Sequence, residues 1–82
     1  MTVTKDALGA WIVEALEHFG GSAALIDIST HIWAHHETDL KRSGELFYTW
    51  QYDIRWSANQ LRRSGVMRAV TQSPRGVWEL ND

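Results

Sequence analysis

One stretch of the sequence places aromatic, arginine and amide side chains at helical spacing. When residues 46–64 are wound as a helix at about 100° per residue, apolar side chains gather on one face. The opposite face carries Tyr48, Thr49, Tyr52, Arg55, Trp56, Asn59 and Arg63. An ordinary solvent-facing helix carries mostly Glu, Lys and Ser, whereas this mixture suits stacking on bases, hydrogen bonds to base edges and pairing with phosphates. The pattern therefore predicts a surface that binds nucleic acid.

The sequence before this stretch predicts two further helices. Apolar residues recur at helical spacing over about 5–19, with Thr4 as a plausible N-cap and Gly20 and Gly21 ending the helix. A short extended segment follows at residues 22–24, and we expect it to pair later with a hairpin. The second helix is predicted over about 26–36 and fades near His36, so that the polar residues 38–44 form a connection.

The sequence after this stretch predicts a hairpin. The third helix should end at Ser64 and Gly65, and two strands should follow, Val66 to Val70 and Val77 to Leu80. The residues between the strands include Pro and Gly, which favour a turn. The whole chain, residues 1–82, is thus predicted to be one α+β domain, a winged helix-turn-helix with three helices, a small antiparallel sheet and a β-hairpin wing. Its expected core contains Trp11, Ile28, Ile32, Ile54, Leu61 and one residue of the final strand.

The charged residues are divided unevenly along the chain. The formal net charge is −2, yet residues 1–40 hold one basic side chain against six acidic ones, whereas residues 41–82 hold seven basic side chains against four acidic ones. Six of those seven are arginine, whose planar fork suits phosphates and guanine edges. A solvated face with a chance imbalance is the alternative explanation. The asymmetry favours a polyanion-facing side in the second half.

The composition narrows the class of protein. There is no cysteine, so neither a disulfide nor a thiolate-bound metal can stabilise so short a chain, and its five tryptophans must supply much of the buried area. No purely apolar run exceeds four residues, and no signal pattern opens the chain, so no membrane association is expected. We expect a cytoplasmic, nucleoid-associated prokaryotic protein, either complete or a domain of a larger one.

Several motifs along the chain resemble one known family. They are Ala10 to Leu16, Gly20 and Gly21, Ile28, Ile32, Trp50, Asp53 to Trp56, Leu61, Arg62, Gly65, Val66 and Arg75 to Leu80. Together they look like the N-terminal winged-helix domain of Mrr-type restriction endonucleases. The resemblance covers nearly the whole chain and implies a DNA-recognition module of the kind attached to nucleases that act on modified or foreign DNA. It also implies that a methylated base, N6-methyladenine above all, could be read. This chain contains no nuclease domain.

The residues expected to contact DNA lie on the third helix, on the connection before it and on the wing. They are Lys41, Arg42, Tyr48, Thr49, Gln51, Tyr52, Arg55, Ser73 and Arg75. The N-terminal half of a recognition helix is the part that enters the major groove. Trp50 and Tyr52 are the candidates for a modified base, although Trp50 also falls on the inner face, where it would be a core residue. Trp56 is either a contact residue or a packing residue under the wing or at a dimer interface.

The four histidines do not predict a metal centre. His31 and His35 have a spacing that can bind zinc, but the intervening residues supply no general base, and His35 falls beside Ile28 and Ile32 as a part-buried packing residue. No serine in a glycine elbow, no cysteine and no acidic pair with a lysine suggests a catalytic centre. We therefore expect no enzyme activity, no metal and no cofactor.

Two functions from different classes follow from these residues. The first is a module that binds double-stranded DNA and reads a sequence or a methylated base in restriction or regulation. Such a module could act as a homodimer or as a domain fused to a nuclease. The second is a winged helix that binds protein, as a dimerisation or adaptor domain, through the same exposed aromatic residues. Composition does not separate them, because large aromatic residues and arginine are enriched at both kinds of interface.

Overall fold

Three helices and a two-stranded antiparallel sheet form the part of the chain that the computed structural model describes, residues 5–81. In chain order these elements are α1 (Lys5–His18), β1 (Ser22–Ala24), α2 (Leu25–Lys41), α3 (Leu46–Arg63) and β2 (Val77–Glu79). The predicted α+β fold is confirmed, and the arrangement is compatible with a winged helix. The proposed N-cap Thr4 lies outside the described residues.

Glycines end α1 and α3 where the sequence predicts. Gly20 and Gly65 have φ angles of 82° and 84°, a left-handed conformation that side-chain-bearing residues rarely adopt. Beyond them, the Gly21 N–H donates to the carbonyl of Leu16 at 2.7 Å, and the Val66 N–H donates to that of Leu61 at 2.9 Å. These bonds satisfy carbonyls of the last turn that have no partner within the helix. Both helices therefore stop within one residue of the predicted ends.

Helix α2 is longer than predicted. It continues to Lys41, so the expectation that residues 38–41 form a connection is wrong. The helix is bent at His36, whose φ and ψ of −128° and 18° are not helical, and this break lies where the polar sequence suggested an end. The His36 ring stacks on Trp11 of α1 with centroids 4.1 Å apart. Beyond the bend, Leu40 is fully buried in the core, and its burial explains why the chain continues as helix there.

The sheet joins the two ends of the fold. Ala23 pairs with Trp78 at the centre of the β1–β2 ladder, which confirms the predicted pairing of residues 22–24. The prediction of a first hairpin strand over Val66 to Val70 is wrong, because this segment forms only one bridge, between Met67 and Leu80. A 3-10 turn occupies Val70–Gln72 instead, and the Gln72 side chain accepts a hydrogen bond from the Ala69 N–H at 3.3 Å. We call residues 67–80 the wing.

The core lies between the three helices and the last strand. Its buried apolar residues are Leu8, Ile12, Ala15, Leu16, Ile28, Ile32, Leu40, Leu46, Trp50, Ile54, Ala58, Met67 and Trp78. The expected core positions Ile28, Ile32 and Ile54 are confirmed, as is a residue of the final strand, Trp78. Trp11 and Leu61 pack against this core but are only partly buried. Within residues 5–81, no helix has the length and apolar character that crossing a membrane requires.

Candidate nucleic-acid interface

The face of α3 opposite the core is open to solvent along its N-terminal half. Tyr48 and Tyr52 keep 84% and 80% of their surface exposed, and Gln51 and Arg55 beside them are exposed as well. Two tyrosines one helical turn apart form a neighbouring pair on the helix surface. Apolar ring area normally leaves water when the fold can bury it. These two rings are therefore available to a partner.

Thr49 lies on the same surface but is already engaged within the helix. Its hydroxyl donates to Oδ2 of Asp53 at 2.7 Å, one turn further along α3. The Asp53 carboxylate repels phosphate, so this edge of the helix is less suited to the DNA backbone than the edge that carries Arg55. Thr49 can still accept a hydrogen bond, and its place among the contact candidates depends on that.

The two tryptophans of α3 lie in different surroundings. Trp50 is only 4% exposed, and its ring is parallel to that of Trp33 with centroids 6.3 Å apart. Trp50 is therefore a core residue, as the inner face of the helical wheel suggested, and little of its surface is left to contact a modified base. Trp56 keeps 40% of its surface exposed and lines a shallow groove with Asp6 and Gly9 of α1. Trp56 therefore lies on the side of α3 that faces α1.

A cleft between α3 and the wing brings together three of the candidate residues. Arg55 projects from α3, Ser73 and Arg75 come from the turn of the wing, and all three line a cleft of about 540 Å³. Asn59 and Arg62 line it too, although the sequence interpretation left them out of the contact set. The sequence does contain a signal for these two residues, because positions 55, 59 and 62 are spaced to lie on one side of a helix.

Lys41 and Arg42 do not line this cleft. The ammonium group of Lys41 lies 3.2 Å from a carboxylate oxygen of Glu37 and 6.0 Å from the centre of the Trp33 ring. Lys41 is also the last residue of α2, whereas the sequence interpretation placed it in a connecting loop. Arg42 follows directly and is exposed. Of the two, Arg42 is the better candidate for an additional phosphate contact outside the cleft.

The histidines meet α1 on another part of the surface. Oε2 of Glu14 accepts hydrogen bonds from Nε2 of His36 at 2.8 Å and from Nε2 of His31 at 3.2 Å. The hydrogen bond from His36, more than any other contact, holds the pKa of Glu14 below its ordinary value of 4.5, while partial desolvation opposes this effect. His31 is buried and His35 exposed, so the expectation that His35 is the part-buried packing residue is wrong. Among the described residues, no group of three or more potential ligands could hold a metal ion.

Comparisons of the chain with known family models, with curated proteins and with solved structures give no match. The likeness to the winged-helix domain of Mrr-type endonucleases therefore remains an interpretation of the motifs in the sequence.

Proposed function

We propose that this chain is a non-catalytic module that binds double-stranded DNA through the outer face of α3 and the wing. The observation that carries the proposal is that Arg55 of α3 and Arg75 of the wing line one cleft, while the rings of Tyr48 and Tyr52 are exposed on the same helix. Phosphate contacts by arginine hold a protein in register on the duplex, and side chains of an inserted helix contact the base edges. The arrangement supplies both kinds of group on one side of the molecule.

The direction of α3 decides which residues face the bases. Its N-terminal half, with Tyr48, Gln51 and Tyr52, enters the major groove, because the first turns of a recognition helix are those that reach base edges. Arg55 and Arg75 then lie at the groove margin against the backbone. The basic second half of the sequence adds long-range attraction for the polyanion, which speeds encounter but confers no sequence preference.

Tyr52 is the residue that we propose to contact a methylated base. An N6-methyl on adenine and a 5-methyl on cytosine both project into the major groove, as the thymine methyl does. A tyrosine ring that covers such a methyl removes it from water, which stabilises the complex by roughly 1 kcal/mol for each methyl, or several-fold in affinity. The family resemblance favours N6-methyladenine and a role in restriction or regulation within a prokaryotic nucleoid.

Mapping of the binding surface tests the proposal. A ¹⁵N-labelled sample is titrated with a pool of short duplexes, and the backbone amide shifts are followed. We expect the largest changes at Tyr48, Tyr52 and Arg55 and in the wing around Arg75. Changes confined to the histidine-bearing surface, or the absence of any change, would contradict this interface.

A matched pair of variants tests the methyl contact. Duplexes that differ only in adenine methylation are titrated with wild type, Tyr52→Ala and Tyr52→Phe. Wild type and Tyr52→Phe should prefer the methylated duplex several-fold, because the ring is what covers the methyl, whereas Tyr52→Ala should not. Equal affinity of the wild type for both duplexes would leave an ordinary DNA-binding domain and exclude the methyl reader.

Protein binding is the second candidate, and the exposure of the aromatic side chains favours it. Tyr48 and Tyr52 together with Ile26, which is 70% exposed, offer apolar area of the kind that anchors protein interfaces. Salt separates the two candidates. Binding to DNA releases counterions from the phosphate backbone, and this release is less favourable at high salt, so the affinity for DNA falls steeply as salt is added. An aromatic protein interface responds little.

A further inference from the structure

The cleft between α3 and the wing concentrates positive charge without compensation. Three guanidinium groups line it, those of Arg55, Arg62 and Arg75, and no carboxylate does. Within residues 5–81, none of the three forms an ion pair with an acidic side chain. Like charges held close together repel one another, and an anion between them removes that repulsion. The charge distribution therefore favours an anionic ligand.

Arg62 is the best oriented of these three side chains. Its Nη1 donates to Oδ1 of Asn59 at 3.2 Å, and its guanidinium carbon lies 5.5 Å from the centre of the Trp78 ring. An arginine that is stacked on an aromatic ring and fixed by an amide loses little freedom when it binds, because its rotamer is already selected. Arg62 is thus prepared to present its remaining N–H groups.

Two polar groups of the cleft have no hydrogen-bond partner. Nε of Arg62 and Oγ of Ser73 are both buried and unpaired within the described chain. Both can donate, so a ligand rich in acceptors suits the two residues that carry them. Phosphate oxygens are such acceptors, and they match the arginine fork in a bidentate geometry.

We propose that this cleft holds one phosphate group of the DNA backbone, with Arg62 as its central ligand and Arg55, Ser73 and Arg75 around it. This inference rests on the proposed function and adds to it a defined phosphate position and a residue, Arg62, that the predicted set of DNA contacts did not include. The cleft, at about 540 Å³, is large enough for a phosphodiester together with its sugars, and it adjoins the wing tip that carries Arg75. A free phosphate monoester shares this chemistry, and the test separates the two sources.

The side-chain Nε–H signals of arginine report on the cleft directly. ¹⁵N spectra are recorded during titration with inorganic phosphate, with dimethyl phosphate as a phosphodiester probe, and with duplex DNA. We expect the Arg62 signal to move with dimethyl phosphate and with duplex, while the signal of Arg63, the neighbouring exposed arginine that does not line the cleft, moves less. Movement with inorganic phosphate alone would identify a site for free phosphate and overturn the backbone assignment.

The same spectra distinguish failure of this inference from failure of the proposed function. If duplex shifts the amides of Tyr48 and Tyr52 but leaves the Arg62 Nε–H unmoved, the cleft assignment is wrong and DNA binding stands. If duplex moves no signal, DNA binding is wrong and the backbone assignment is wrong with it.

Matched charge-removing variants provide an independent measurement. Arg62→Gln and Arg63→Gln each remove one positive charge from adjacent positions, and only the first changes the cleft. Because a hydrogen bond to a charged group is lost, Arg62→Gln should weaken duplex binding roughly tenfold more than Arg63→Gln does. Arg62→Lys, which keeps the charge but loses the fork, should fall between wild type and Arg62→Gln. Thermal melts verify that each variant is folded, and equal effects of the two glutamine variants would overturn the assignment.

Discussion

Replacement of Arg75 by alanine should change the salt dependence of duplex binding in a calculable way. The Arg75 side chain is exposed at the turn of the wing and has no acidic partner within the described residues. If each of the three guanidinium charges of Arg55, Arg62 and Arg75 displaces one counterion from the DNA backbone around the cleft, a rise in salt from about 50 to about 200 mM should weaken wild-type binding by roughly 40-fold, from a slope of about −0.9 for each charge. With one such charge fewer, the same rise should weaken Arg75→Ala by only about 12-fold.

The assay is fluorescence anisotropy of labelled duplexes of several sequences over a series of salt concentrations. Arg68→Ala is the control, because it removes an equal charge from the same wing, but one that lies 3.9 Å from the carboxylate of Glu79. We expect Arg75→Ala to weaken all sequences by a similar factor and Arg68→Ala to leave the slope near that of the wild type. An unchanged slope for Arg75→Ala would refute the phosphate contact, and a loss confined to one sequence would make Arg75 a base-reading residue instead.

Three further predictions concern stability. Ile54→Asp should abolish the cooperative thermal melt, because it forces an unpaired carboxylate into a fully buried position. The control Ile54→Val should lower the free energy of unfolding by only about 1 kcal/mol. A near-wild-type melt for Ile54→Asp would contradict the assigned core. Gly65→Ala should destabilise the fold by roughly 1 kcal/mol in chemical denaturation. The site has space for a methyl group, but a φ of 84° is unfavourable for alanine. An unchanged denaturation midpoint would show that the backbone conformation of Gly65 does not stabilise the end of α3. Since the pKa of Glu14 is lowered in the fold, its carboxylate stabilises the protein above about pH 4.5 and this contribution is lost as the pH falls through the lowered value. Glu14→Gln should therefore lower Tm at pH 7, and the difference from wild type should shrink below pH 4.5; a difference independent of pH would contradict the linkage.

The main elements of the fold could be predicted because their signals are local. Apolar periodicity marks the inner face of α3 through Trp50, Ile54 and Ala58, all of which are buried. Gly20 and Gly65 mark helix ends through a backbone conformation that suits glycine. The pairing of residues 22–24 with the last strand followed from the order of the elements, which is typical of a winged helix.

The elements that were missed depend on contacts between distant residues. Nothing near residue 40 signals a helix strongly, and α2 continues there because Leu40 reaches the core beyond a bend at His36. The first wing strand fails for a related reason, since only Met67 of that segment forms a bridge to the last strand. Tertiary packing thus decided the end of α2 against local propensity.

The candidate site was predicted in part. Exposure of Tyr48, Tyr52 and Arg55 followed from the helical wheel. The cleft did not, because its shape depends on how the wing lies against α3 and on the placement of Arg62 between Asn59 and Trp78. A helical wheel assigns a side of the helix and contains no information on what faces that side.

Titration of the wild-type chain with a pool of unmodified and methylated duplexes at two salt concentrations tests the central claim most directly. DNA binding through arginine–phosphate contacts predicts measurable affinity at low salt and a loss of tenfold or more, roughly, between about 50 and about 200 mM salt. An affinity for duplex that does not change with salt, or no binding at the lower concentration, would contradict it.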